Sequence, residues 1–551
     1  MGGFKHAADE SPYGRRTLNS TLESIVRETP DKIFSLVPKT EDLKDGFKTI
    51  TYQELINGVS AAAYWLDQHL GKLPQVPASR QTIAYIGPND LRYLLLILGA
   101  DRSNRSLLVP LMFNSPEAQV RLIDRSKTVA LLAPQSHLHA WDKVQSERPD
   151  VSSKVMPELD FFLKEGPHYP YDQDIADFWN SSPFLIQTSG TTGFPKPLHQ
   201  TNAAISVFDM YGTATMRDLP LDQQHCALSG WKDKTTVNCM PVTWIAGIFI
   251  GLMAPLFMGT IAVVPPASMP NPPTFEIIKQ IRELVPDISC ICLIPSLIRD
   301  IMGSEGGPEF VASLDLLWFA GAPLDEAVGN AIVKHNHTRI NCIMGSTEAG
   351  PYDYLVNPDL ADWSWMNLNL SGAYRLEHFS DNLYELVLDK EPDRSRSCFL
   401  LHPELEVYRT ADLFNQHPEK KHLWRPAGRA DDFVKLQSMT KFNAIDIERT
   451  VDRYPEIARC IVGGDDRTAS FIILQAAFPS KYANTTEMLD AMWPGVEKAN
   501  ESIFPEARLT KGLAIVTSSE KPLTVTQKGT TERRKGIAAY ANEIEAIYKE
   551  N

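Results

Sequence analysis

Residues 188–196, "TSGTTGFPK", have the composition of a loop that holds a polyphosphate. Two glycines, four hydroxyl residues and one lysine can surround phosphate oxygens with backbone N–H groups, hydroxyls and a cation. The loop does not fit the Walker pattern, which needs lysine directly after a glycine and before a hydroxyl residue. Here Lys196 lies between Pro195 and Pro197. The segment therefore predicts a polyphosphate site that differs from that of a simple P-loop NTPase.

The bulk composition predicts a globular protein of two or more domains, because 551 residues exceed one hydrophobic core. A formal net charge of −14 argues against nucleic acid and membrane surfaces as partners, since these need clustered Lys and Arg. Seven cysteines without a C-x-x-C pair indicate neither a disulfide framework nor a zinc site. The N-terminus lacks the apolar core of a signal peptide, and we expect a cytoplasmic protein.

One long apolar stretch invites a transmembrane interpretation, because residues 237–275 contain no charged residue. Gly247, Gly251, Pro255 and Gly259 divide it into a helix-sized piece and the strand-sized piece "TIAVV". Such pieces are typical of the buried centre of an α/β domain, and we expect that placement here.

Short β-rich runs alternate with helical patterns along most of the chain. Examples are "QTIAYIG" before "DLRYLLLILGADRS", "TVALLAP" before "SHLHAWDKV", "ISCICLIP" before "SLIRDIMG", and "LDLLWFAGAP" before "LDEAVGNAIVKHN". This alternation predicts an α/β fold with parallel sheets covered by helices. An arginine and paired aspartates interrupt the apolar pattern at "RPAGRADDFVKL". We therefore predict a large domain of residues 1–430 and a small domain of residues 431–551. The small domain contains the strands "RCIVGG" and "SFIILQAAF" and a closing helix, "RRKGIAAYANEIEAIYKE".

Six segments in order carry a family resemblance. They are residues 188–196, "FAGAP", "GSTEAGP", "YRTADLF", "GRADD", and a lysine in "LTVTQKGTTERRK". Each motif alone is weak, but the ordered set resembles the adenylate-forming enzymes, which include acyl-CoA ligases, luciferases and adenylation domains of nonribosomal peptide synthetases. The resemblance implies a large N-terminal domain of stacked sheets and helices and a small, mobile C-terminal α+β domain.

The resemblance also implies a reaction. A carboxylate oxygen attacks the α-phosphate of ATP, pyrophosphate leaves, and the acyl-AMP then reacts with a phosphopantetheine thiol. Because two anions must meet, such a site supplies positive charge and N–H donors.

The residues that would bind ATP or AMP follow from the matching motif positions. They are Thr188, Ser189, Gly190, Thr191, Thr192, Gly193, Lys196, Gly321, Ala322, Pro323, Ser346, Thr347, Asp412 and Arg429. The loop would hold the β- and γ-phosphates, Thr347 would contact the α-phosphate, and residues 321–323 would lie along the adenine. Asp412 would accept hydrogen bonds from the ribose hydroxyls, and Arg429 would contact the ribose or phosphate side.

Catalytic roles are implied for Lys528, Thr347 and Glu348. Lys528 would enter the site as a cation during adenylation, and Glu348 would bind Mg²⁺, which prefers oxygen ligands. Asp431 would be the hinge about which the small domain rotates, and residues 435–443 would line the thiol tunnel.

Some positions depart from the usual family pattern. Ala411 stands where glycine is usual, which we expect to cost little, and Met439 replaces a glycine in the loop after the hinge. The order "QKG" around Lys528 is closer to fungal synthetase-like reductases. The chain thus resembles the adenylation domain of a fungal nonribosomal peptide synthetase-like enzyme of the carboxylic acid reductase type. Its thiol acceptor is expected on a carrier domain, downstream in the same protein or in trans.

The substrate is predicted to be a carboxylic acid other than a typical α-amino acid, because "MPVTWIAG" has no acid to hold an α-ammonium group. Candidate pocket residues are Trp244, Phe249, Phe319 and Gly345, with Trp318 beside them in the sequence. Aryl, small alkyl and betaine-like acids remain open, the last through cation–π attraction. Two alternatives also remain: a free-standing acyl- or aryl-CoA ligase, and a non-catalytic nucleotide-binding module, which loss of Lys528 or Glu348 would have supported.

Overall fold

The computed structural model describes most of the chain, in two compact units. The described residues are 14–112, 114–188, 195–211, 220–335, 338–368, 370, 373–391, 396–438, 440–501, 503, 505–525 and 531–550. The larger unit consists of Met1–Arg375, Leu388–Tyr408 and His417–Arg425. The smaller unit consists of Leu376–Val387, Arg409–Gln416 and Pro426–Asn551.

A seven-stranded sheet lies in the larger unit. Its strands in spatial order are Arg339–Ile343, Leu316–Ala320, Ile288–Leu293, Thr235–Val237, Ile261–Val263, Ile33–Pro38 and Phe47–Thr51. All neighbouring strands are parallel except the last pair. The central strands are almost wholly buried, which explains their continuous apolar sequences.

A six-stranded sheet is the second layer of strands in this unit. Its strands in spatial order are Ser152–Met156, Thr128–Pro134, Gln81–Tyr85, Arg105–Val109, Phe184–Thr188 and Lys196–Gln200. The first five are parallel, and the last pairs antiparallel with its neighbour. The predicted α/β class is therefore confirmed.

Helices connect the parallel strands. The α-helices of the larger unit are Leu18–Glu28, Tyr52–Leu70, Arg92–Arg102, Pro116–Ser126, Asp142–Glu147, Leu159–Phe162, Ile175–Phe178, Asn202–Tyr211, Ile245–Ile248, Ala254–Met258, Phe275–Leu284, Pro295–Met302, Gly307–Ala312, Glu326–His335 and Ser397–Leu401. The helix Tyr52–Leu70 shows how local sequence sets an end. The Thr51 hydroxyl accepts the N–H of Glu54, and the Glu54 carboxylate accepts the N–H of Thr51, which is a capping box.

The apolar stretch folds as predicted, into a helical piece followed by a strand. The helix Ile245–Ile248 continues through a π-helical segment, Phe249–Met253, into Ala254–Met258. The strand Ile261–Val263 follows in the seven-stranded sheet. Within the described ranges, no helix has both the length and the apolar character needed to cross a membrane.

The smaller unit has its own sheets and core. Most of a four-stranded sheet belongs to it, with the strands Tyr374–Ser380, Leu383–Asp389, Val407–Gln416 and Trp424–Arg429 in that order. A three-stranded sheet contains Ile457–Gly463, Phe471–Ala476 and Ala514–Val516, and a hairpin pairs Phe433–Lys435 with Lys441–Asn443. Its helices are Ala444–Val451, Thr485–Asn500, Arg533–Ala539 and Ala541–Glu550.

The single closing helix expected from the sequence is wrong, because two helices meet at Tyr540. The Tyr540 hydroxyl donates to the carbonyl of Lys521, and the Lys521 ammonium lies 4.2 Å from the centre of the tyrosine ring. Tyr540 is 3% exposed, so tertiary anchoring of this side chain accompanies the break.

All seven cysteines are free thiols, as the sequence predicts. Six are buried and Cys342 is half-buried. Burial raises the pKa of each thiol above its ordinary value.

Candidate functional site

Two of the predicted motifs meet at one edge of the seven-stranded sheet. Residues 321–323 follow the strand Leu316–Ala320, and residues 345–351 begin just after its parallel neighbour Arg339–Ile343. Ala320 pairs with Ile343 at the carboxyl ends of these strands. In open α/β sheets, ligands bind outside the carboxyl ends of the strands. The carboxyl ends of these two strands are therefore the candidate nucleotide site of the larger unit.

Residues 345–351 form a small hairpin that presents Thr347 and Glu348. Gly345 pairs with Pro351 and Ser346 with Gly350, and the Ser346 hydroxyl accepts the N–H of Ala349 at 3.0 Å. A Cβ on Gly345 would lie 2.3 Å from the carbonyl oxygen of Gly350, so only glycine fits the paired strand. The turn residues Thr347 and Glu348 are partly exposed and can reach a ligand.

The two ends of the predicted phosphate loop are held opposite each other. Thr188 pairs with Lys196 in the antiparallel ladder between Phe184–Thr188 and Lys196–Gln200. An Arg125 guanidinium N–H donates to the carbonyl of Pro195 at 3.1 Å and fixes the exit from the loop. The predicted loop residues Ser189, Gly190, Thr191, Thr192 and Gly193 lie outside the described residues.

The predicted adenine segment is accessible from solvent. Gly321 and Pro323 are exposed and Ala322 is half-buried. Gly321 has φ +92°, a conformation that favours glycine. The segment therefore offers backbone and a small side chain at the sheet edge.

The aromatic pocket residues predicted from the sequence do not form one cluster. Phe249 contacts the Trp231 ring with ring centres 5.2 Å apart, and Trp231 stacks on Trp318 at 4.0 Å. Phe319, the next residue of the strand, belongs instead to a core cluster that contains Trp363. Because side chains alternate along a strand, Trp318 and Phe319 face opposite sides of the sheet.

Trp244 and Gly345, the two other predicted pocket residues, occupy separate places in the fold. Trp244 is half-buried directly before the helix Ile245–Ile248, and its backbone N–H donates to the carbonyl of Pro241. Gly345 begins the hairpin described above. Trp231 was not predicted, since its contact with Trp318 joins residues distant in sequence and no local pattern indicates it.

In the smaller unit, one arginine bridges two predicted site residues. Arg429 donates from Nη1 to Asp412 and from Nε to Asp431, each at 2.9 Å. Arg534 also donates to the Asp431 carboxylate, at 3.2 Å. Asp412 is buried, which strengthens its ion pair with Arg429. The predicted Lys528 and Met439 lie outside the described residues.

Ala411 has a left-handed backbone conformation, with φ +60°. The expectation that alanine costs little here is wrong, because a Cβ in this region costs about 1–2 kcal/mol. The conformation directs the Ala411 N–H to the Glu385 carboxylate at 3.2 Å, beside the buried Asp412.

Two parts of the chain match known protein families. Residues 22–371 match the family described as AMP-binding enzyme, and residues 431–551 match the AMP-binding enzyme C-terminal domain. The chain belongs to the AMP-binding enzyme family.

Relatives of this AMP-binding enzyme include fungal reductases. The carboxylic acid reductase of Neurospora crassa is 27% identical over 548 residues, which cover 98% of this chain and 51% of that protein. The chain thus spans about half of the length of this relative. The resemblance to fungal enzymes of the carboxylic acid reductase type is confirmed.

Two solved structures share the fold of this AMP-binding enzyme. One is the A domain of carboxylic acid reductase from Segniliparus rugosus in complex with AMP and a co-purified carboxylic acid, with 17% identity, TM-score 0.68, and 97% and 94% of the two chains covered. The other is the A-PCP didomain of the same reductase in complex with AMP, with 18% identity, TM-score 0.68, and 97% and 82% covered. The predicted adenylate-forming fold is confirmed.

The AMP-binding enzyme has one carboxylate suited to a divalent cation at the hairpin. Within the described ranges, no group of three His, Cys, Asp or Glu side chains could hold a metal by itself. Mg²⁺ in phosphate sites is usually bound by one or two carboxylates together with phosphate oxygens and water. The partly exposed Glu348 fits this donor set.

Proposed function

We propose that this chain adenylates a carboxylic acid with ATP and transfers the acyl group to the phosphopantetheine thiol of a carrier domain. The observation that carries the proposal is the meeting of residues 321–323 with the hairpin of Thr347 and Glu348 at the carboxyl edge of the sheet. Membership of the AMP-binding enzyme family supports a nucleotide at this edge.

The proposed first step is a substitution at the α-phosphorus. A substrate carboxylate oxygen forms a bond to that phosphorus, the bond to the bridging oxygen breaks, and pyrophosphate leaves with the electron pair. Lys196 and the loop that it closes would hold the β- and γ-phosphates, and Thr347 would contact the α-phosphate. Mg²⁺, when bound at Glu348, would neutralise phosphate charge. Lys528 would supply a cation to the transition state.

In the smaller unit, Asp412 is proposed to accept hydrogen bonds from the ribose hydroxyls. Its carboxylate already accepts one N–H from Arg429, and a carboxylate has lone pairs for further donors. Arg429 would remain beside the ribose or phosphates. Asp431 would serve as the hinge.

The second step is proposed to use a carrier thiol. The thiol sulfur forms a bond to the acyl carbon and loses its proton to water, the bond from that carbon to the AMP oxygen breaks, and AMP leaves with the electron pair, so a thioester results. The support is homology to the carboxylic acid reductase of Neurospora crassa and the shared fold with an A-PCP didomain.

The substrate class is proposed to be a carboxylic acid other than a typical α-amino acid, because "MPVTWIAG" has no acid to hold a primary ammonium group. The aromatic cluster of Phe249, Trp231 and Trp318 is apolar and uncharged. The Trp318 indole N–H is buried and has no hydrogen-bond acceptor among the described residues. An aryl, small alkyl or betaine-like acid fits a pocket segment without an acid, such as "MPVTWIAG".

The test is carboxylate-dependent exchange of pyrophosphate into ATP, over aryl, small alkyl, fatty, amino and betaine-like acids. Exchange with one class of acid is expected, and its loss in Lys528→Ala would assign the cation. Lys535→Ala is the matched control, because this exposed lysine pairs with Glu532 and is expected to leave exchange unchanged. No exchange with any acid, in protein that binds ATP, would overturn the proposal.

The acceptor is tested by offering the activated acid to a phosphopantetheinylated carrier domain and to CoA in parallel. Thioester on the carrier at rates well above those with CoA is expected. Faster transfer to CoA would overturn the carrier assignment and leave the adenylation step intact.

A further inference from the structure

The peptide carbonyls on both sides of Glu348 are held by buried side chains. The carbonyl of Thr347 accepts a hydrogen bond from the Gln200 amide at 3.4 Å. The carbonyl of Ala349 accepts one from the Arg396 guanidinium at 3.1 Å. The residue proposed to bind Mg²⁺ thus lies between two anchored peptide groups.

Arg396 is itself fixed from a second direction. Its guanidinium carbon lies 4.8 Å from the centre of the Tyr374 ring, and the Tyr374 hydroxyl accepts the N–H of Asp353 at 3.0 Å. Arg396 is 3% exposed. A buried arginine that stacks on an aromatic face and donates to a carbonyl defines an orientation, which a lysine cannot reproduce.

Gln200 links the hairpin to the predicted phosphate loop. It is buried at the far end of the strand Lys196–Gln200, whose first residue pairs with Thr188 at the mouth of the loop. The turn of Glu348 is therefore tied to the same strand that leads out of the loop.

The charges of Arg396 and Glu348 act at one buried thiol. Burial raises the pKa of Cys398 to about 11, the Arg396 cation opposes this shift, and the Glu348 carboxylate adds to it. Both side chains consequently lie within electrostatic range of the Cys398 sulfur.

We propose that Gln200 and Arg396 are positioning residues, which fix the peptide group before Glu348 and the peptide group after Ala349, and thereby aim the Glu348 carboxylate for the cation of the ATP complex. The proposal rests on the proposed role of Glu348. Rotation of either anchored peptide group would change the backbone of the turn that carries Glu348 and so move its carboxylate, and small misplacements of a ligand are costly in such sites. Partners that orient a metal ligand typically change metal affinity by about 10- to 100-fold when they are removed.

The test compares Gln200→Met, Arg396→Met and Arg396→Lys with wild type. Two quantities are measured: amide hydrogen exchange of residues 344–352 in the ligand-free protein, and the Mg²⁺ concentration for half-maximal pyrophosphate exchange. Both methionine variants are expected to exchange these amides faster and to need about 10-fold more Mg²⁺. Arg396→Lys keeps the charge, and its amide exchange and Mg²⁺ requirement are expected to lie between those of wild type and Arg396→Met. It keeps the test informative if Arg396→Met does not fold.

Arg102→Met is the matched control. Arg102 is equally buried in the same unit, stacks on Tyr171 at 5.4 Å and donates to the carbonyl of Tyr169 at 3.1 Å. It is expected to lower the melting temperature without changing the Mg²⁺ requirement or the amides of residues 344–352.

Unchanged amide exchange and Mg²⁺ requirement in Arg396→Met would overturn the positioning role, and so would equal effects of Arg102→Met. Failure of the proposed function gives a different result, since wild type would then show no pyrophosphate exchange with any acid. The amide exchange of residues 344–352 would still report whether the two side chains hold the turn.

Discussion

At the scale of single residues, Glu348 is the acid proposed to bind the cation of the ATP complex. It is the partly exposed acid of a turn whose backbone is fixed by the paired Ser346 and Gly350. The motif "GSTE", as part of the ordered set, predicts that Glu348 binds Mg²⁺, and this role stays a prediction. Its support from Arg396 could not be read, because Arg396 and Ala349 are 47 residues apart and local sequence does not encode that contact.

Glu348→Gln is expected to lower pyrophosphate exchange by about 100- to 1000-fold. The neutral amide lacks the negative charge that would bind Mg²⁺ beside the phosphates. Initial rates at saturating ATP measure this. Glu326→Gln is the control, since Glu326 is exposed and pairs with Arg425. Exchange at the wild-type rate in Glu348→Gln would contradict the assignment.

Ala411→Gly is expected to stabilise the smaller unit by about 0.5–1 kcal/mol. Glycine relieves the cost of a Cβ at φ +60°, and this gain exceeds the extra freedom of glycine in the unfolded chain. Urea unfolding of the two proteins measures the difference. Ala476→Gly, in the strand Phe471–Ala476, should destabilise, and stabilisation by both variants would contradict the argument from conformation.

At the scale of elements, the alternation of short β-rich runs with helical patterns predicted several strands and helices of the parallel sheets. "ISCICLIP" and "SLIRDIMG" correspond to Ile288–Leu293 and Pro295–Met302. The break at Tyr540 and the π-helical segment Phe249–Met253 were not predicted, because each is set by tertiary surroundings rather than by local propensity.

A buried acid joins three elements of the smaller unit. Glu448, on the helix Ala444–Val451, accepts the N–H of Val462 at 2.7 Å and pairs with Arg533, which also faces Asp432. Burial raises the pKa of Glu448 to about 7, and the Arg533 cation opposes this shift. The folded unit therefore holds the Glu448 proton more tightly than the unfolded chain does.

The local stability of this unit is expected to fall as pH rises from about 4.5 to about 7, by up to about 3 kcal/mol. In this window the unfolded chain releases the Glu448 proton while the folded unit keeps it. Amide exchange of the strand Ile457–Gly463, corrected for the intrinsic pH dependence of exchange, measures the change. Glu448→Gln should reduce the slope, and the remainder is expected from Asp452, whose pKa burial raises to about 6; exposed Glu497→Gln should leave the slope unchanged. An equal slope in wild type and Glu448→Gln would exclude this source.

At the scale of the whole molecule, the order of motifs predicted an adenylate-forming fold, and the domain boundary placed at residue 431 stays a prediction. The smaller unit includes Leu376–Val387 and Arg409–Gln416, which precede the predicted boundary at residue 431. Strand pairing between distant segments decides this membership, and sequence periodicity carries no information about it.

Lys528→Ala is expected to slow adenylation by about 100- to 1000-fold while it changes thiol transfer from supplied acyl-AMP far less, since the cation is proposed to act in the first step. Pyrophosphate exchange and single-turnover loading of a carrier domain separate the two steps. Equal losses in both would mean that Lys528 is not specific to adenylation.

The free thiols of the chain also determine how an acceptor can be observed. Each of the seven is at least half-buried and has a raised pKa, so little thiolate is available to react near neutral pH. A maleimide or a disulfide-exchange reagent added to a mixture with a carrier should therefore label the phosphopantetheine arm first. The thiols of the enzyme are expected to react slowly with such reagents, so no cysteine needs to be removed before the labelling experiment.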